Sequence, residues 1–214
     1  MLNYFTLNTI AELVCLVVAF ACLFNDKSVA WKSTIIYLLA VCVIEFSGIY
    51  IKLQGERNSW IYNLLLLFEI GYFSFMFHNL LKPYFNCRPL ILSGLAVLSI
   101  SYVNDLYNHG PNNRHNLTII VLSVVIILYC LFYFYYLIKD DNYILIKYSA
   151  QFWWVAAVLF YYFVQSTVTI FYPALSRILV DPREVFSYVF KIINIVFYAT
   201  WSYAFICRRW ITLK

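Results

Sequence analysis

Four ionisable side chains stand inside long apolar runs: Glu12, Glu45, Glu69 and Lys191. A charge at membrane depth costs about 2–3 kcal/mol or more, so such groups face a bundle interior, pair with one another or serve function. Counted from the ends of their runs, the four fall within about one helical turn of a common level. Lys191 is expected to pair with Glu69 or Glu12, because an unpaired ammonium there is costly. Three acids to one amine exceed what a pair needs. The surplus points to a cation, a proton or an amine-bearing ligand, or to a water-filled pocket. The plain alternative is an ion-paired network that ties helices together and binds nothing.

Polar residues at helical spacing extend this set. Lys191, Asn194, Tyr198 and Ser202 form one stripe; Tyr162, Gln165, Ser166 and Thr169 form a second; Asn8, Glu12 and Cys15 form a third; and Tyr62 precedes Glu69 by two turns, with Asn63 beside it. The expected ligand or ion pocket is therefore Glu12, Glu45, Asn63, Glu69, Gln165, Lys191 and Asn194. No catalytic residue and no metal set is assigned. The chain lacks the phosphate-loop, dinucleotide, zinc-protease and serine-hydrolase signatures. His109 and His115 lie six apart in one connection and read as solvated. The six cysteines show no metal spacing and read as apolar packing residues.

The elements that must position these groups are membrane helices. Apolar residues make up 64% of the 214 and charged ones 12%, too apolar a balance for a water-soluble globule. Seven stretches approach the roughly 20 apolar residues that cross a bilayer: 5–24, 33–52, 60–81, 89–107, 116–138, 149–172 and 184–207. The fourth is the weakest, since Ser99, Ser101, Asn104 and Asp105 dilute it. The fifth has almost nothing polar at its centre and reads as the lipid-facing element. Short connections leave no room for a soluble domain: Asn25-Asp26-Lys27, Gln54-Gly55-Glu56-Arg57, Lys82-Pro83, Gly110-Pro111-Asn112-Asn113, Lys139-Asp140-Asp141 and Asp181-Pro182-Arg183. The first segment has no basic leader or cleavage site and reads as a retained helix. Many of the aromatics, 21% of the chain, read as lipid-facing or interfacial rings, which explains part of the tyrosine count.

Basic residues set the expected orientation. Lys27, Lys32, Lys82, Arg88, Lys139, Lys147, Arg208, Arg209 and Lys214 fall on one side, against Lys52, Arg57, Arg114, Arg177 and Arg183 on the other. The heavier side is cytoplasmic by this rule, placing the N-terminus outside and the C-terminus inside. The net charge of +5 is accounted for by this anchoring, and no nucleic-acid partner is read from it.

Lys191 on a seventh helix resembles the retinal lysine of rhodopsins. The third helix lacks the acidic and threonine pattern of the microbial forms, however, and no cofactor is expected. The Pro-Gln signature of seven-helix sugar transporters is absent. Trp60-Ile61-Tyr62-Asn63 with Glu69, and Asn194-Ile195 with Tyr198 and Ala204-Phe205-Ile206-Cys207, resemble a pattern in small seven-helix bacterial inner-membrane proteins of no established activity. The resemblance implies a bacterial setting and a fold, and carries no mechanism over.

The expectation is thus an all-α polytopic bundle of about seven helices, forming one domain over 1–214 in a cell membrane. It is read as receptor-like or sensory, acting through a partner protein or as a homo-oligomer in the lipid bilayer. The alternatives are an ion or proton channel, possible as an oligomer, and an intramembrane enzyme.

Overall fold

A computed structural model describes residues 7–140, 145–175 and 182–212. Asp141, Arg177, Asp181 and Lys214, which entered the loop and orientation readings, lie outside the described residues. Seven α-helices follow in order: α1 (Leu7–Leu23), α2 (Val29–Leu53), α3 (Ser59–Leu81), α4 (Arg88–His109), α5 (Asn116–Lys139), α6 (Ala150–Leu175) and α7 (Pro182–Thr212). A 3-10 turn, Ile146–Tyr148, precedes α6. Helices α2 to α7 are each long and apolar enough to cross a membrane, and α1 is a shorter apolar helix of 17 residues. The polar residues of α4 do not shorten it, and it extends over 22 residues.

Packing closes a ring. Helix α1 touches α2 and α7, α3 touches α2 and α5, and α6 touches α5 and α7. Helix α4 lies outside this ring against α3 and α5. The fifth helix is therefore not the lipid-facing element: Leu122, Ile126, Tyr129, Cys130 and Tyr133 on it are all buried. An apolar helix centre fits a core as well as it fits lipid, and only its neighbours decide between them. At the α4–α5 seam, Gly94 lets α4 approach closely, since a β-carbon there would overlap the Tyr129 hydroxyl.

Rings fill the middle of the bundle. Tyr37 stacks on Tyr72 with centroids 4.2 Å apart, and Trp154 stacks on Trp201 at 5.4 Å. Phe73 meets Trp154 at 6.0 Å, and Phe197 meets Trp201 at 4.4 Å. These residues come from α2, α3, α6 and α7, and all are buried. Part of the aromatic content is thus core, while other rings, Phe20, Tyr50, Trp60, Phe163 and Trp210 among them, are exposed. Offset and edge-on ring pairs add about 0.5–1.5 kcal/mol each beyond the area they bury. Such pairs supply attraction where lipid offers none to drive helices together.

The α1–α2 connection is locked to the end of α7. Arg208 Nε–H donates to Asp26 Oδ2 at 2.7 Å and its Nη2 donates to Oδ1 at 3.2 Å. The Ser28 N–H donates to the same carboxylate at 2.7 Å, and the guanidinium lies 5.4 Å from the Trp31 ring centre. Beside it, Arg209 donates to the Ala21 carbonyl at 3.0 Å. The terminal arginines, read from sequence as membrane anchors, therefore also join helices 182 positions apart in the chain. Burial tends to raise the Asp26 pKa. The hydrogen bonds from Arg208 and Ser28 and the charges of Arg208 and Lys32 outweigh that, holding the carboxyl below its ordinary 3.8.

A depressed carboxyl pKa stabilises the fold above the unfolded value, and the contribution disappears as pH falls through the folded value. Asp26→Asn is therefore expected to cost about 1.5–3 kcal/mol at neutral pH, the range for hydrogen bonds to charged groups. Its detergent-solubilised unfolding midpoint should also lose the part of the acid sensitivity below pH 3.8 that Asp26 confers. Replacing Asp26 and Arg208 together should cost less than the sum of the two single changes.

Candidate functional site

At the end of the bundle that carries the 54–58 and 110–115 connections, the ring encloses a cavity of about 490 Å³. It continues into a smaller chamber of about 100 Å³, and Glu45, Leu65, Glu69, Tyr161 and Asn194 line both. Glu12 lines the inner chamber from α1. Three of the four intramembrane ionisable groups thus surround one space. Gln165 and Asn194 border the outer part, as does Arg114 from the α4–α5 connection.

Tyrosines hold two of the carboxylates. The Tyr37 hydroxyl donates to Glu69 Oε1 at 3.2 Å, and the Tyr62 hydroxyl donates to Glu45 Oε2 at 3.2 Å. Gly48 makes the second contact possible, because a β-carbon there would sit 2.7 Å from the Tyr62 hydroxyl oxygen. Glu12 lines the inner chamber beside Tyr198. It is 5% exposed, and its Oε2 has no hydrogen-bond partner among the described residues. Gln165 Oε1 is likewise buried and unpartnered. Buried polar atoms are nearly always satisfied, so two orphan acceptors beside one cavity mark it as a place where a donor is accommodated.

Lys191 is not part of the site. Its ammonium lies 5.1 Å from the ring centre of Tyr188, on its own helix, and among the described residues it forms no ion pair. The expected Lys191–Glu69 or Lys191–Glu12 pair is therefore corrected. Phe190, Asn194, Phe197 and Tyr198 are the residues of α7 that line the cavities. Lys191 follows Phe190 by one position, a turn of about 100° around the helix. A long aliphatic stem then lets its charged head reach away from the carboxylates. Arg114, counted from sequence only as an orientation signal, is the basic residue that borders the cavity.

Asn63 lines the cavity too, but its amide is already occupied. Its Nδ2 donates to the Pro111 carbonyl at 2.9 Å and the Asn113 carbonyl at 2.8 Å, while Oδ1 accepts the His115 N–H at 3.3 Å. One α3 side chain therefore pins the connection that carries Arg114. Asp105 secures the same region from α4, where its Oδ2 accepts the Thr118 N–H at 2.8 Å and the Thr118 hydroxyl at 2.9 Å. That supplies the N-terminal cap α5 lacks within its own sequence. His115 is fully buried and packs edge-on to Tyr102 at 4.9 Å. The reading of both histidines as solvated fails for this one. Among the described residues no cluster of three or more His, Cys, Asp or Glu forms a metal set.

Sequence reasoning missed Tyr37, Tyr161 and Arg114. The tyrosines were hidden among 20 of their kind, and the signal that could have found Tyr37 is its position two helical turns before Glu45, on the same face of α2. No family model matches the chain, and neither a curated protein nor a solved structure is similar to it.

Asn63→Asp keeps the size and the acceptor for His115 but removes both donors to the loop carbonyls. Amide exchange over residues 111–116 is expected to accelerate, with a loss of stability of about 1–3 kcal/mol. Unchanged protection in that segment would show that the Asn63 amide is free to serve the cavity instead.

Proposed function

We propose that this chain is a receptor-like multi-pass protein of a cell membrane that takes a small ligand into the carboxylate-lined cavity and acts through a partner protein. The observation that carries the reading is the set of packed rings against the inner chamber. Tyr37 lines that chamber with Glu12, Glu45 and Glu69 and packs on Tyr72, Phe73 and Trp201, and Trp201 stacks on Trp154, all of these rings being buried. A continuous route for ions needs polar groups or water through the whole thickness, and this stack of rings interrupts it. A pocket that opens at one end and closes on a packed core is the geometry of binding.

The orientation fits the same reading. With the heavier set of Lys and Arg in the cytoplasm, the cavity opens to the outside, and the Asp26–Arg208 junction lies at the inner face. Helix α7 runs from the cavity lining at Asn194 to Arg208. A change in its position at the cavity is thereby presented at the cytoplasmic end, where a partner can read it.

Two measurements test the proposal. Purification in native lipid patches should recover a second protein at fixed stoichiometry. Proteoliposomes of the purified chain should show no proton or sodium flux under an imposed gradient. Flux that falls in Glu45→Gln and Glu69→Gln would replace the receptor reading with a conducting one.

A further inference from the structure

We propose that the cavity receives the ammonium group of a small organic amine, seated among Glu12, Glu45 and Glu69, with the remainder of the molecule toward Arg114. The inference rests on the ligand-binding reading above and narrows it to one ligand chemistry.

Hydrogen-bond accounting comes first. The two unpartnered buried atoms at the cavity, Glu12 Oε2 and Gln165 Oε1, are both acceptors. A guest that satisfies them brings donors, and a primary ammonium brings three N–H groups on a charge that also offsets carboxylates. Glu45 and Glu69 each accept one bond from a tyrosine. A carboxylate has about four lone-pair sites, so both retain capacity.

The lining favours an organic cation over a coordinated metal ion. Among the described residues no three acidic, His or Cys side chains come close enough to form a metal set, so the carboxylates border the space without converging on one coordination point. Tyr161 and Tyr198 line the same inner chamber as the three carboxylates. Aromatic faces beside carboxylates suit a bulky, weakly hydrated organic cation, which gains from the ring quadrupole as well as from charge. A volume of about 490 Å³ in the outer part alone falls within the range of small-molecule sites. A bare ion or proton would leave it largely empty. Arg114 is exposed and forms no ion pair among the described residues. Its guanidinium at the outer part favours guests whose far end is neutral or anionic over those with a second positive charge.

The probes are three compounds of similar shape: phenethylammonium, neutral phenethyl alcohol and the anion 3-phenylpropanoate, titrated against the full-length detergent-solubilised protein while its unfolding midpoint is followed. Phenethylammonium is expected to raise the midpoint by roughly 3–5 °C at tenfold excess over its Kd, with no comparable effect of the other two. Glu12→Gln should reduce its affinity at least tenfold. Glu69→Gln and Glu45→Gln serve as further variants should that one fail to fold, and Lys191→Gln should leave binding intact. Nanodiscs of phosphatidylethanolamine against phosphatidylglycerol distinguish a lipid headgroup from a free amine: selective stabilisation by the first supports the same ammonium chemistry from a lipid source. Equal stabilisation by the alcohol or the anion, or affinity unchanged in every folded glutamate variant, overturns the ammonium assignment and leaves ligand binding standing. Absence of any effect from all probes and both lipids overturns it as well. If a partner still co-purifies in that case, the receptor reading survives alone; if none does, both fall.

Discussion

Inside a bilayer there is no water to complete an unsatisfied polar group, so each buried donor and acceptor has to find its counterpart within the bundle. The arrangement of this protein follows from that constraint. Asp105 on α4 accepts from the first turn of α5, and Asn63 on α3 uses its whole amide on one loop. Tyr72 and Thr34 meet at 2.9 Å between α3 and α2. Hydroxyls that find no distant partner turn back on their own helix, as Ser123 does to the Ile119 carbonyl and Ser202 to the Tyr198 carbonyl. Some buried atoms still lack a partner: Trp154 and Trp201 Nε1 do so within the ring stack, whereas Glu12 Oε2 and Gln165 Oε1 do so in residues that line the cavity and its inner chamber.

The bundle changes in character along its length. One end is polar and hollow, with its walls held by Tyr37, Tyr62 and Asn63. The middle is a dense set of rings, and the far end is joined by the Asp26–Arg208 pair. Preorganised walls lower the ordering cost of taking in a guest, and a packed core transmits a shift of one helix instead of absorbing it. Helix α7 contributes to all three levels through Asn194, Trp201 and Arg208.

Helical periodicity, composition and the cost of buried charge were enough to read seven helices with boundaries within a few residues for most, and to place Glu12, Glu45 and Glu69 at one depth. Those signals are local, since each depends on residues three or four apart or on a count along one run. They could not rank the sides of α7, where a rotation of one residue separates the cavity-lining Phe190 from Lys191. Nor could they tell α5, an apolar core helix, from a lipid-facing one.

The sequence by itself determined that the chain is helical, apolar enough for a bilayer and acidic at one level, because those properties are sums over single helices. Only the tertiary structure decided which acids share a cavity, that Arg114 and not Lys191 accompanies them, that Asn63 serves a loop, and that Asp26 meets Arg208. These are contacts between helices far apart in sequence. They depend on how each helix is turned about its axis, and that angle is set by packing among all seven.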